Sequence, residues 1–265
     1  MRIFKYWKYH EKEIFVRGES LYFRVLGGSN ISEADTKNDA ENKIERIKEK
    51  IEGNKPELAY DVDIREEIIE EIDSKNIVTR NRYGALVLNS ENLLFIDIDN
   101  AKPSFWNIFF KPKTSKKERM FADIEKTIAL PKYKFFSFRL YETCNGYRLL
   151  VTNQNFEARS KETLKIMRDF YVDSIYYHLC VQQNCFRARL TPKPLRIEQK
   201  EIKVIYPNRS SEAEMKLSNW VYEYDKKSIN FATCKLVKTY GNPVYNKAIN
   251  YHDRISKINY NQTLA

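Results

Sequence analysis

The heptapeptide Leu93-Leu94-Phe95-Ile96-Asp97-Ile98-Asp99 narrows the possible folds of this chain more than any other stretch. Five of its residues are apolar, and the two carboxylates stand at alternate positions near its end. A run this short and this rich in branched and aromatic side chains reads as a buried strand. Alternate residues of a strand share a face, so Asp97 and Asp99 project to one side while Leu94, Ile96 and Ile98 project to the other. Two ionised carboxylates on one face repel each other, and burying either without a partner is costly. Two arrangements relieve the conflict. A divalent cation, Mg²⁺ or Mn²⁺, suits an oxygen-rich site. Alternatively the strand simply ends there, with Asp97 meeting an arginine and Asp99-Asn100 opening a turn.

Around this strand the chain alternates hairpin and helix signals. Glu13–Val16 and Ser20–Leu26 flank Arg17-Gly18 as a hairpin, Gly27-Gly28-Ser29-Asn30 reads as a turn, and Ser32 is a candidate helix N-cap. Ala40, Ile44, Ile47 and Ile51 form one apolar helical stripe, and Arg65–Asp73 reads as a second, acidic helix. Ala85–Leu88 and Leu93–Asp99 form an expected hairpin about the polar segment 89–92. Residues 100–117 read as a long loop able to touch a ligand, followed by a helix over Lys117–Leu130 that Pro131 ends. Lys134–Glu142 and Tyr147–Thr152 pair about Cys144-Asn145-Gly146. Helices are expected over Lys161–Phe170, Ser174–Gln182 and Ser211–Tyr224, and strands over Phe186–Leu190, Glu201–Tyr206 and Phe231–Tyr240. The pattern predicts an α+β fold with mixed or antiparallel sheets flanked by helices. Residues 1–75 form a small α/β extension, and residues 76–265 form the main domain.

Charge is uneven. Lys and Arg total 46 against 36 Asp and Glu, a net charge of +10. Residues 31–75 hold 15 acidic and 8 basic side chains, whereas 101–140 hold 3 and 10, and 181–209 hold 2 and 7. Such asymmetry marks either a solvated lysine-rich surface or a phosphate-binding footprint. No run reaches the ~18–20 apolar residues of a membrane span, and the N-terminus has no apolar secretory stretch. Cys144, Cys180, Cys185 and Cys234 contain no Cys-x-x-Cys pair, which argues against zinc and for reduced thiols in a cytoplasmic protein.

In Phe186-Arg187-Ala188-Arg189-Leu190 two guanidiniums share a face, and Lys193 follows shortly after. Together they form a cradle suited to a polyphosphate, or salt-bridge partners for the acidic N-terminal segment. Arg148, flanked by Tyr147 and Leu149, needs a carboxylate or a ligand phosphate. Asp173 opens an expected helix, where an aspartate is a favoured N-cap.

In this order the residues resemble the archaeo-eukaryotic primase superfamily, and within it the primase-polymerase branch. Phe95-Ile96-Asp97-Ile98-Asp99 is similar to that family's first motif, an apolar strand ending in two acidic residues. Asn145-Gly146-Tyr147-Arg148 resembles its second, with Arg148 where the family carries a histidine. His10, His178 and His252 are not placed to replace it. Asp173 resembles the third acidic residue, and Phe186-Arg187-Ala188-Arg189-Leu190-Thr191-Pro192-Lys193 resembles the nucleotide-contacting stretch. The resemblance spans about residues 84–206. It implies a primase-polymerase-like fold in which Asp97, Asp99 and Asp173 are catalytic residues holding Mg²⁺ or Mn²⁺. Arg148, Arg187, Arg189 and Lys193 would bind the triphosphate, and basic residues of 101–140 would follow a DNA or RNA strand.

Three functions follow as expectations. The first is a primase-polymerase-like protein that binds nucleoside triphosphate and nucleic acid, with metal-dependent nucleotidyl transfer. The second is a catalytically degenerate binding module of a larger replication, repair or mobile-element complex, which Arg148 favours. The third is an Asp-based two-metal nuclease. A relaxase would need paired histidines, which the chain lacks.

Overall fold

The computed structural model describes residues 1–53, 62–99, 114–259 and 261–265. The chain is α+β, with predominantly antiparallel sheets. Strands β1 (Tyr6–Val16) and β2 (Glu19–Ser29) form a long two-stranded hairpin, longer at both ends than the apolar pattern indicates. Gly27 and Gly28 lie inside β2, not in a turn. A Cβ on Gly27 would stand 2.0 Å from the Thr36 carbonyl oxygen. Glycine here lets helix α1 (Thr36–Ile51) cross the hairpin at backbone contact, with Ala40 and Ile44 buried beneath it. Ser32 bonds to Asp35 one turn before the helix and does not cap it.

The main body holds two four-stranded antiparallel sheets. One has the order β3-β4-β5-β9, from Glu67–Asp73, Asn76–Arg80, Leu86–Ser90 and Phe186–Arg189. The other has the order β11-β7-β8-β6, from Cys234–Tyr240, Phe138–Thr143, Tyr147–Val151 and Phe95–Ile98. Strand β3 replaces the acidic helix expected over Arg65–Asp73. Its isoleucines have helical spacing, but two register shifts against β4 absorb the mismatch with a strand's two-residue period. Residues 67–73, assigned to the N-terminal extension from sequence, therefore form an edge strand of the larger unit's sheet.

The expected hairpin of β5 and β6 is also corrected, because these strands enter different sheets. Leu88 in β5 and Leu94, Phe95 and Ile96 in and beside β6 are completely buried, so neither strand has a solvated face to set its pairing. Glu201–Tyr206 is not a strand; it is tied to the β4–β5 turn by the Val204 amide, which donates to the Arg82 carbonyl at 2.8 Å. The loop expected over 100–117 falls largely on residues 100–113, outside the described residues.

Helices α2 (Lys116–Ile128), α3 (Lys161–Asp169), α4 (Ser174–Gln183), α5 (Ser211–Ser228) and α6 (Lys247–Ser256) flank the sheets. Ser115 and Glu118 form a reciprocal capping box at α2. The C-terminal helix α6, not expected from the sequence, buries Ala248, Ile249, Tyr251 and His252. A short parallel pair joins β10 (Phe231–Ala232) to β12 (Thr263–Leu264). Among the described residues no helix is long and apolar enough to cross a membrane.

Candidate functional site

A cavity of about 580 Å³ opens where the two sheets meet. Asp97 and Asp99 reach it from the end of β6, Arg148 from β8, Arg187 and Arg189 from β9, and Lys193 from the segment after β9. Antiparallel register puts Arg148 directly opposite Asp97, which makes them same-face neighbours. Across the cleft Ala188 is buried, while Arg187 and Arg189 face the cavity. The Asn145-Gly146 turn closes against β6, and a Cβ on Gly146 would lie 2.1 Å from the Ile98 carbonyl oxygen. Tyr176 of α4 ties the sheets together. Its hydroxyl donates to the Phe95 carbonyl at 2.9 Å and accepts from the Arg187 amide at 3.4 Å.

Asp97 is held by Arg148. Nε donates to Oδ1 at 2.8 Å and Nη2 to Oδ2 at 3.4 Å. Nη1 of the same guanidinium donates to the Arg189 carbonyl at 2.9 Å and lies 3.3 Å from His252 Nε2. Burial opposes the charge on Arg148, but Asp97 holds its pKa above the ordinary guanidinium value. Arg187 pairs with Glu66 at 2.5 Å, the salt-bridge role open to it in the sequence. Glu66 also accepts from Thr79 at 2.6 Å.

Asp173 caps α4, accepting from the Tyr176 amide at 2.9 Å, and its own amide donates to the Asp97 carbonyl at 2.9 Å. It therefore stands beside the end of β6 without lining the cavity. Burial, Asp97 and Asp173 together raise the Asp99 carboxyl above its ordinary value. Among the described residues no three metal-ligating side chains are grouped to hold an ion. With Asp97 engaged through both oxygens and Asp173 engaged as a cap, these three aspartates in this arrangement do not fit a divalent-metal site.

The cations opposite are different. Arg82, Arg189, Lys193 and Arg196 line the cavity, and none forms an ion pair with a described carboxylate. Nη1 of Arg189 is sealed from solvent and has no hydrogen-bond partner. Burial, with repulsion from Arg148 and Arg196, lowers the Arg189 pKa; burial, with Arg189 and Arg196, lowers that of Lys193. The lining carries six cations against three carboxylates, Glu66, Asp97 and Asp99.

Several lining residues were not singled out from sequence. Arg196 belongs to the basic stretch 181–209, which was the available signal. Arg82 and Tyr83 lie in the β4–β5 connection, and Glu66 precedes β3 in what reads as a helix. His252 does not line the cavity but backs Arg148 from behind. Arg148 can only donate, so His252 Nε2 accepts and the proton sits on Nδ1. Nδ1 then donates to Asp253 at 3.0 Å. Asp253 also accepts from Arg139 at 2.6 Å and Tyr141 at 2.8 Å. Burial and Arg148 lower the His252 pKa. The unfolded chain takes a proton near the ordinary imidazole value of 6.5, where the folded chain resists it, so stability should fall as pH drops below 6.5. Urea midpoints between pH 7.5 and 5.5 should fall further in the wild type than in His252→Gln. An equal fall in both would place this imidazole in water.

The basic excess of 101–140 is partly spent internally. Arg139 is buried against Asp253, Lys117 pairs with Glu142 at 2.5 Å, and Lys132 pairs with Asp169. Comparison with known proteins gives no further guide: no family model, no curated protein and no solved structure matches the chain.

Proposed function

We propose that this chain is a primase-polymerase-like protein that binds a nucleoside triphosphate in the cleft between its two sheets, alongside a DNA or RNA strand. One observation carries the reading. Arg82, Arg189, Lys193 and Arg196 line one cavity without a described carboxylate partner. Arg189 and Arg196 are half-buried, whereas Arg82 and Lys193 are exposed at the mouth, and half-buried cations without anions are costly unless a ligand supplies the charge. A cavity of about 580 Å³ is also in the usual range for a small-molecule site. Guanidiniums offer forked donors to phosphate oxygens, and Lys193 offers a point charge. A cytoplasmic location belongs to the same reading, as do partners in a replication, repair or mobile-element system.

Calorimetric titration with ribo- and deoxynucleoside triphosphates tests it. Binding is expected in the micromolar range and should weaken as salt rises. Single-stranded DNA or RNA should bind with log K falling linearly against log salt concentration. A chain that binds no triphosphate at millimolar concentration would sink the proposal.

Transfer of the nucleotidyl group is tested separately, because the three aspartates as arranged do not fit the divalent ion that such a reaction would use. Incubation with primed template, triphosphates and Mg²⁺ or Mn²⁺ separates the cases. Lengthened primers support transfer, unchanged primers support binding alone, and shortened ones indicate the nuclease.

A further inference from the structure

We infer that the cleft takes up the polyphosphate without a divalent cation, with Arg148 supplying at Asp97 the positive charge that a metal ion would otherwise bring. This inference rests on the cleft being a triphosphate site. Its physical basis is the state of each charged group that lines the cavity. Asp97 is neutralised through both oxygens by a guanidinium that is itself 2 % exposed. A metal at Asp97 would either share the carboxylate with Arg148, setting the ion against the guanidinium, or displace Arg148 and strand a buried charge that also satisfies the Arg189 carbonyl and meets His252, which is strongly unfavourable. Asp173 is committed to capping α4.

The remaining charge suits the anion directly. Setting aside the Arg148–Asp97 and Arg187–Glu66 pairs, the cavity presents Arg82, Arg189, Lys193 and Arg196 against Asp99. A triphosphate carries roughly four negative charges at neutral pH, two of them on its terminal group. Three net positive charges therefore face a comparable negative charge. A Mg²⁺ ion travelling with the triphosphate would cancel half of the ligand's charge and add repulsion against these four cations.

The full-length chain should be titrated by calorimetry with ATP, once in EDTA and once in Mg²⁺, with inorganic tripolyphosphate as competitor. Expected is an ATP affinity in Mg²⁺ no more than about threefold tighter than in EDTA, a difference of well under 1.4 kcal/mol. Tripolyphosphate should displace ATP, because the phosphates carry the recognition. Affinity more than threefold tighter in Mg²⁺ overturns the inference while leaving the triphosphate site standing. Absence of ATP binding in both buffers overturns the site itself. Tripolyphosphate that fails to compete also overturns the inference, because it takes recognition away from the cations.

A variant gives an independent reading. Asp97→Asn retains a carbonyl oxygen for Arg148 but removes a negative charge from the cleft. Its ATP affinity in Mg²⁺ should equal or exceed that of the wild type. A metal ligand at this position would respond oppositely, so a loss greater than about threefold overturns the inference.

Discussion

Replacing Arg148 with alanine should destabilise the fold by about 3–5 kcal/mol, the usual cost of removing one partner of a buried ion pair. The loss has identifiable parts. Asp97 keeps its charge without its only described ion-pair partner, and the Arg189 carbonyl and His252 Nε2 each lose a donor. Chemical unfolding followed by circular dichroism measures it. Arg148→Lys retains a charge but not the fork, so it should recover only part of the loss. Removing both charges together, as Arg148→Met with Asp97→Leu, should be far milder than Arg148→Ala. A loss below about 1 kcal/mol for the alanine variant would put this pair in the class of exposed salt bridges.

The double variant Arg189→Ala, Arg196→Ala should show the opposite split between binding and stability. Each charge-assisted hydrogen bond contributes about 1.5–3 kcal/mol, and every 1.4 kcal/mol is about tenfold in affinity. Removing two donors should weaken triphosphate binding by about 100-fold or more. Thermal stability in the absence of ligand should stay level or rise, because both guanidiniums repel neighbouring cations and Arg189 pays a desolvation penalty. Calorimetry and a melting curve on one preparation test both halves. Unchanged affinity would show that the phosphates lie elsewhere. A sharp fall in melting temperature would make the arginines structural members of the sheet.

These contrasting expectations come from one lining, and its parts were unequally legible in the sequence. Asp97, Asp99, Arg187 and Arg189 could be placed because strand alternation is a local rule, and the cavity contains all four. The pairing of Arg148 with Asp97 was one of several open options. It depends on the register between β6 and β8, which stand about fifty residues apart in the chain, Asp97 opposite Arg148. The misreading of β3 has a similar origin. Isoleucines spaced by four suit a helix, and only bulged pairing to β4 makes a strand of them. Glu66, next to that strand, was legible only as one of the acidic residues of 31–75 open to pairing with Arg187. The β5–β6 hairpin failed because two short apolar strands carry no mark of which sheet each will join. Asp173 was legible in its humbler role, since an aspartate before Ser-Ile-Tyr-Tyr is a recognisable cap and does cap α4. His252 had no local signal at all, because it enters through long-range packing of α6.

That last contact ties the cleft to the order in which the chain is made. Arg148 leaves the ribosome 104 residues before His252, and Arg139 leaves it 114 residues before Asp253. A nascent chain interrupted before α6 already contains Asp97, Arg148 and the whole basic strand, yet lacks the imidazole and carboxylate that back them. The site therefore matures late in synthesis, and an incomplete polypeptide carries its charges without their final support.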